Sequence, residues 1–121
     1  MREPSEAAEC IALVAWMRDN KIVFLHIPNE GRRSPREGAR LKALGLRAGC
    51  PDYLVLSQTA KAPHGCWIEM KRRDGGTRGQ LQIAWAAALR GLGWPGDFCS
   101  GAAAAVTMLR ALGYVRPGER P

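Results

Sequence analysis

The chain has 121 residues and a mass of 13.2 kDa, so we predict one domain over residues 1–121 with its core at about residues 5–112. Hydrophobic residues make up 46% and charged residues 24%, which is typical of a globular protein and excludes extensive disorder. Lys and Arg total 18 against 11 acidic residues, and the resulting net charge of +7 favours a polyanionic partner such as nucleic acid.

The first half of the chain alternates between helical and extended patterns. Ser5 is a predicted N-cap, and apolar residues at helical spacing predict an amphipathic helix over residues 6–19. The β-branched and aromatic run Ile22–Leu25 predicts a strand. A basic stretch punctuated by Pro and Gly over residues 28–35 predicts an exposed loop, and a short helix is predicted between Arg36 and Leu44.

The second half has clearer patterns. Residues 52–56 and 66–71 predict two strands, and the polar segment between them indicates a hairpin. Alanine- and leucine-rich runs predict helices over residues 80–92 and 102–112, with a last short strand over 94–99 between them. The predicted order is therefore one helix, three strands, a helix, a strand and a helix.

Cysteine spacing and hydropathy give expectations about the cell compartment. Cys10, Cys50, Cys66 and Cys99 do not form the C-x-x-C pairs of a zinc or redox motif, and we predict four reduced thiols. No uninterrupted apolar stretch is long enough for a signal peptide or a membrane span. We therefore expect a soluble cytoplasmic protein that does not bind membranes.

Two predicted neighbouring strands carry charged residues that packing does not explain. Alternation along a strand puts Glu69 and Lys71 on one face, and Asp52 opens the strand predicted to lie beside them. Two adjacent carboxylates repel unless a cation lies between them, and Mg²⁺ binds to one or two protein carboxylates while keeping several waters. A nearby ammonium would lower the pKa of a metal-bound water or stabilise charge on a phosphoryl oxygen. The spacing is equally compatible with a cross-strand salt bridge on a solvated sheet face.

Short motifs around these residues resemble those of a nuclease family. Gly49-Cys50-Pro51-Asp52, a spacer of sixteen residues and Glu69-Met70-Lys71 resemble the motif of the PD-(D/E)XK nuclease superfamily. Four further blocks in the same order are similar to the VRR-NUC family, namely Ser5-Glu6, Ile27-Pro28-Asn29-Glu30-Gly31, Lys42-Ala43-Leu44-Gly45 and Gln82-Ile83-Ala84-Trp85. The resemblance implies an α/β fold with a restriction-endonuclease-like αβββαβ core, in which helices flank a mixed central sheet.

The resemblance also implies roles for individual residues. Asp52 and Glu69 would ligate Mg²⁺ or Mn²⁺, the Met70 carbonyl would be a further ligand, and Lys71 would orient or activate the attacking water. Glu6 matches the family's helix-borne glutamate, which reaches the metal directly or through water, and Glu9 is the second candidate for this role.

A glutamine after the motif is the last implied catalytic residue. Gln82 matches the family's glutamine at the start of the following helix, where it could position Lys71 or a phosphate. The family commonly has serine and proline before this glutamine, whereas this chain has Gly79-Gln80, so Gln80 is an alternative that the spacing to Trp85 disfavours. A glutamine often seen in the family's first helix is replaced here by Cys10.

Basic residues cluster before Asp52 and after Lys71, and we predict that they contact phosphates. The predicted nucleic-acid-binding residues are Asn29, Arg32, Arg33, Arg36, Arg40, Lys42, Arg47, Arg72, Arg73 and Arg78. The alternative is a set of solvated loops whose charge serves solubility.

Most of the remaining aromatic and imidazole side chains have an expected structural role. Trp16, Trp67 and Trp85 lie at apolar positions and are predicted to belong to the core. His26 and His64 show no ligand spacing, and we assign them no catalytic role. His26 ends a predicted strand close to Asn29, where a phosphate contact is an alternative to the favoured structural role.

These features lead to a functional hypothesis and two alternatives. The hypothesis is a Mg²⁺- or Mn²⁺-dependent endonuclease that cleaves branched DNA, such as Holliday junctions or flaps, in DNA repair. Because no base-reading motif is visible, recognition would depend on backbone shape, and paired cuts at a two-fold symmetric junction would require a homodimer. One alternative is a non-catalytic nucleic-acid-binding module with a vestigial metal site. The other is a sequence-specific restriction nuclease, which needs extra base-reading segments.

Overall fold

The structure is a computed structural model of the chain and describes residues 4–28, 34–45, 47–72 and 78–115. Within these residues the chain forms four helices and four strands. Their order is α1 (Glu6–Asp19), β1 (Phe24–His26), α2 (Pro35–Ala43), β2 (Tyr53–Val55), β3 (Cys66–Lys71), α3 (Gln80–Gly91), β4 (Gly96–Ser100) and α4 (Ala102–Ala111).

The strands form a mixed sheet in the order β1-β2-β3-β4. β1 pairs antiparallel with β2, and β2 pairs antiparallel with β3, with His26 opposite Tyr53 and Tyr53 opposite Ile68. β3 and β4 are parallel and are joined through α3, the connection expected of a parallel pair. The predicted α/β class, αβββαβ core and mixed sheet are thereby confirmed.

Alternation along β3 divides the packing between the two faces of the sheet. Cys66, Ile68 and Met70 are buried in a core that also contains apolar side chains of α1 and α4. Trp67 points to the opposite face, where it is buried in a second cluster with Ala86 and Leu89 of α3. The same alternation puts Glu69 and Lys71 on the α3 face.

The predicted helix and strand limits agree with the structure to within two residues. For α1 the agreement has a local cause, because the Ser5 hydroxyl accepts a hydrogen bond from the N–H of Ala8 at 3.0 Å. The first strand begins two residues later than predicted. The Ile22 N–H donates instead to the Met17 carbonyl of α1, and the Val23 N–H donates to the Ser57 hydroxyl. These N–H groups therefore bond to the end of α1 and to the loop after β2 rather than to a neighbouring strand.

Two further expectations concern the cysteines and membrane-spanning helices. All four cysteines are free thiols. Among the described residues, no helix has both the length and the apolar composition that spanning a bilayer requires.

Candidate active site

The two predicted metal-binding carboxylates lie side by side at one end of the sheet. The pairing of Tyr53 with Ile68 sets Asp52, which precedes β2, beside Glu69 of β3. The Asp52 N–H donates to Glu69 Oε1 at 3.1 Å, and the Met70 N–H donates to Asp52 Oδ2 at 2.7 Å. Both side chains are buried, with 6% of Asp52 and 5% of Glu69 exposed. Each acid is therefore held by a backbone N–H of the neighbouring strand.

Burial next to a second acid disfavours a negative charge on Glu69. Burial, followed by the charge of Asp52, raises the pKa of the Glu69 carboxyl from 4.5 to about 7, although Lys71 and the hydrogen bond from Asp52 act in the opposite direction. The charge of Lys71 therefore does not offset burial and the charge of Asp52, and a divalent cation would supply further positive charge.

Lys71 and Glu69 are connected through the amide of Gln82. The Lys71 ammonium donates to Gln82 Oε1 at 2.8 Å, and Gln82 Nε2 donates to Glu69 Oε2 at 2.6 Å. Lys71 Nζ also lies 3.6 Å from Glu69 Oε2. Gln82 Oε1 accepts a further hydrogen bond from the Gly79 N–H at 3.0 Å, so the same amide caps the start of α3. The structure brings Gln82 to Lys71, whereas Gln80 is exposed.

The loop before Asp52 packs tightly against α3 and so fixes Gln82 relative to the carboxylates. Gly49 has a φ of +82°, and a Cβ added there would lie 2.5 Å from the Leu81 Cβ. Trp85 Nε1 donates to the Ala48 carbonyl at 3.1 Å. Glycine is required at residue 49 both for its backbone conformation and for this close approach.

These side chains surround a cavity of about 600 Å³ between α1 and the ends of β2 and β3. Asp52, Glu69, Lys71 and Gln82 line it together with Glu6 of α1. The remaining lining residues are Ala7, Cys10, Ile11, His26, Cys50 and Tyr53. The cavity is therefore lined by the four charged side chains for which the family resemblance implies a catalytic role.

The structure distinguishes the two glutamates of α1. Glu6 lines the cavity, and its charge contributes to the raised pKa of Glu69. Glu9, one turn further along α1, is buried, and its Oε2 accepts a hydrogen bond from the Ala102 N–H at 2.9 Å. α4 begins at Ala102, and its N-cap Gly101 has no side chain, so Glu9 supplies the cap of that helix.

His26 is a cavity residue that the sequence reasoning did not assign to the site. Its Nδ1 lies 3.0 Å from the Asp52 carbonyl, and its ring packs against Tyr53 with 5.0 Å between centroids. A lone histidine gives no spacing signal, so only its position at the end of a strand next to Asp52 could have indicated this.

The fold is shared with a protein of known structure. A VRR_NUC domain protein is similar in structure, with a TM-score of 0.79 and 18% sequence identity over 96% of this chain and 93% of that one. The chain has the VRR_NUC fold. No protein-family model matches the sequence, and no curated protein matches it.

In this VRR_NUC fold the donor set at the cavity fits a hard divalent cation. Among the described residues, no three His, Cys, Asp or Glu side chains are gathered into a complete ligand cluster. Mg²⁺ does not need one, because it binds proteins through one or two carboxylates and keeps several waters. The Met70 N–H points to Asp52, and in a strand the carbonyl of a residue faces the same neighbour as its N–H. Asp52 and Glu69 line the cavity, whereas Met70, whose carbonyl is directed toward Asp52 by this geometry, is not among the described residues that line it.

The predicted basic residues lie around the VRR_NUC fold rather than inside the cavity. Arg36, Arg40 and Lys42 are exposed on α2, where Arg40 forms an ion pair with Glu37 at 3.4 Å, and Arg72 is exposed after β3. None of the predicted basic residues that the structure describes lines the cavity. Asn29, Arg32, Arg33 and Arg73 lie outside the described residues.

Two of these arginines are held over aromatic rings. The Arg47 guanidinium lies 5.1 Å from the Trp85 ring centroid, and that of Arg78 lies 4.6 Å from Phe98. Stacking orders a guanidinium at little cost and leaves its N–H groups available for phosphates. Trp85 and Trp16 are half-buried and Trp67 is buried, in keeping with their predicted place in the core.

Proposed function

We propose that the chain is a VRR-NUC nuclease that hydrolyses phosphodiester bonds of DNA with Mg²⁺ or Mn²⁺. The observation that carries the proposal is the meeting of Asp52, Glu69 and Lys71 at one cavity, with Gln82 hydrogen-bonded to the latter two. A surface salt bridge does not require two adjacent buried acids, of which Glu69 lies within ion-pair distance of the ammonium. The similarity in fold to a VRR_NUC domain protein supports a nuclease-type domain.

In this proposal the oxygen donors bind the cation, whereas the ammonium acts on the reacting groups. Asp52, Glu69 and the Met70 carbonyl would hold the cation, with Glu6 reaching it from α1 directly or through water. When bound, the cation acts as a Lewis acid and makes a coordinated water more acidic.

Lys71 and Gln82 would act on the reacting groups. An ammonium has three N–H donors, and the bond to Gln82 uses one of them. The others can orient the attacking water or stabilise negative charge on a phosphoryl oxygen. Gln82 would keep Lys71 in this position, because its amide is itself fixed by Glu69 and Gly79.

We propose branched DNA, such as a Holliday junction or a flap, as the substrate. The exposed basic side chains of α2 and the stacked arginines support contacts to phosphates, which report backbone shape rather than base sequence. A homodimer is part of this proposal because a symmetric junction needs two cuts. Light scattering should give a mass in solution of about twice the chain mass of 13.2 kDa. A monomer that still makes paired cuts would contradict the proposed homodimer.

The test is cleavage of labelled four-way, flap and linear DNA with Mg²⁺, with Mn²⁺ or with EDTA. We expect cutting of the branched substrates with either metal and none with EDTA. Lys71→Ala should reduce the rate by about 100-fold or more. Lys61→Ala is the matched control, since Lys61 is an exposed lysine outside the cavity, and it should leave the rate unchanged.

Two results would contradict the proposal. Equal rates for wild type and Lys71→Ala would remove the catalytic assignment. Tight, strongly salt-dependent binding by a wild-type protein that never cuts would favour the non-catalytic binding module.

A further inference from the structure

The cavity has an apolar wall that the proposed chemistry does not use. The charged lining residues that would bind the cation or act on the phosphate come from the strand ends and from Glu6. α1 also contributes Ala7, Cys10 and Ile11 to the lining. Cys10 is a free thiol, which packs like a small apolar side chain. Beyond Glu6, the α1 side of the cavity therefore presents apolar surface to a bound molecule.

Ile11 supplies this wall with a large apolar side chain that is open to solvent. The residue is 71% exposed and lies one helical turn after Ala7 on the same side of α1. A single exposed apolar side chain is ordinary on a protein surface, so its position decides the argument. The part of the chain that the structure describes has seven other exposed large apolar residues, and none of them lines the cavity. Ile11 therefore faces the same bound molecule as the charged groups.

The cavity is larger than a hydrated cation requires. Its volume is about 600 Å³, whereas each water takes about 30 Å³ of liquid volume, so a cation with four waters fills roughly 150 Å³. The space that remains falls within the range of about 300–1,000 Å³ that small organic ligands occupy. A phosphate together with its attached sugar and base can use this space.

The charges on either side of Ile11 fit a nucleic-acid strand. The carboxylates and Lys71, where the scissile phosphate would bind, lie at the cavity. Arg18 follows Ile11 by seven residues, which puts it on the same side of α1 and about 10 Å further along the helix axis. Its exposed guanidinium can contact a neighbouring phosphate. A strand bound at the cavity therefore meets an apolar contact and then a basic one along α1.

We propose that Ile11 packs against the face of an unpaired base next to the scissile phosphate, so that the α1 wall selects branched DNA. The inference rests on the proposed nuclease function and names the feature of the branch that the site recognises. In a duplex the faces of a base are covered by stacking, and uncovering them costs free energy that is least for a base already unpaired. Because every base has such a face, the contact selects DNA structure without reading sequence.

The test uses a DNA flap that carries either a normal base or an abasic residue at each of the first three unpaired nucleotides in turn. For the wild type, we expect the abasic residue at one of these positions to lower kcat/KM by about 5- to 30-fold, the effect of losing one apolar side-chain contact. Ile11→Ser should lower kcat/KM on the normal flap by a similar factor. The abasic residue should then have less than about a 2-fold further effect on Ile11→Ser, because both changes remove the same contact.

Three controls separate this contact from a general effect on the protein. Ile11→Ser should keep the wild-type Tm, because residue 11 is exposed and serine and isoleucine have similar helix propensities. Ile11→Leu keeps an apolar side chain of the same size and should retain most of the wild-type rate. Ile83→Ser is the matched control, since Ile83 is a 51% exposed isoleucine of α3 that does not line the cavity. It should respond to the abasic residue as the wild type does.

The same comparison can be made without cleavage. Affinities for the normal and abasic flaps are measured in EDTA, where we expect the same non-additive pattern for Ile11→Ser. Normal cleavage with additive effects at all three positions in both measurements would overturn the inference and leave the nuclease function intact. A non-additive pattern in a protein that never cuts would instead contradict the nuclease function and retain the base contact.

Discussion

Glu69 is the residue in which burial and charge conflict most clearly. The side chain is 5% exposed and lies beside Asp52, yet it is held by hydrogen bonds from both Asp52 and Gln82. A negative charge on Glu69 is unfavourable because the carboxyl is buried beside Asp52, and its pKa therefore rises to about 7. Without a cation, protonation removes this unfavourable charge. The fold thus retains an acid at a position that favours a neutral group.

This conflict makes the stability of the metal-free protein depend on pH. The folded chain binds the Glu69 proton more tightly than the unfolded chain, where the pKa is near 4.5. The resulting stabilisation is present in full below pH 4.5 and is lost as the pH rises through 7. In EDTA, the wild-type Tm should therefore fall by roughly a few degrees relative to Glu69→Gln between pH 5 and pH 8. Curves of Tm against pH that stay parallel for wild type and Glu69→Gln would contradict the account. Glu37→Gln, which changes an exposed glutamate, is the control and should follow the wild-type curve.

Gln82 and Gln80 form a matched pair on one helix. Gln82→Ala removes the amide between Lys71 and Glu69, and we expect the cleavage rate to fall by about 10-fold or more because the ammonium loses its fixed position. Gln80→Ala changes an exposed amide and should cleave as wild type. The reverse ranking in single-turnover kinetics would show that Gln80 is the functional glutamine.

Between elements, the two glutamates of α1 should separate activity from stability. Glu6→Ala should reduce cleavage with little change in Tm, because Glu6 faces the cavity. Glu9→Ala leaves the start of α4 without its side-chain cap and should cost about 1–2 kcal/mol of unfolding free energy. The two properties are measured by urea unfolding and by cleavage per folded protein. Loss of activity in folded Glu9→Ala with full activity in Glu6→Ala would contradict these assignments.

The contact between the Asp52 loop and α3 can be tested with two glycines. Gly49→Ala would place a Cβ 2.5 Å from the Leu81 Cβ in a backbone with φ of +82°. Gly45 has a φ of +104° but nothing within 4 Å of an added Cβ, so Gly45→Ala reports the backbone cost alone, about 1 kcal/mol. We expect Gly49→Ala to be destabilised by about 1–3 kcal/mol more in urea unfolding. Equal effects would mean that the loop and helix can separate freely.

Much of the element order could be predicted because local signals agreed. Ser5 marked the start of α1, and the unbroken run Cys66–Lys71 gave β3 with both of its limits. The start of β1 was two residues off because Ile22 hydrogen-bonds to Met17 at the end of α1, which no hydrophobic pattern reveals. His26 was missed as a cavity residue because its partner, the Asp52 carbonyl, lies 26 residues away.

At the scale of the whole molecule, the site forms where elements from both faces of the sheet meet. α1 packs on one face and α3 on the other, and their first turns bring Glu6 and Gln82 to the ends of β2 and β3. Spacing alone predicted that Asp52, just before β2, and Glu69 of β3 are neighbours. Their burial and the Gln82 bridge depend on packing between distant segments. The chain as a whole carries a net charge of +7, which favours approach of a polyanion despite the carboxylates of the cavity.

Calorimetric titration of Mn²⁺ into the protein tests most directly whether Asp52 and Glu69 share a cation. We expect one site per chain in the wild type, at least about 10-fold weaker binding in Asp52→Asn, and wild-type binding in Asp97→Asn, which changes an exposed aspartate on β4. Equal Mn²⁺ uptake by the wild type and Asp52→Asn, or no uptake by either, would contradict the account.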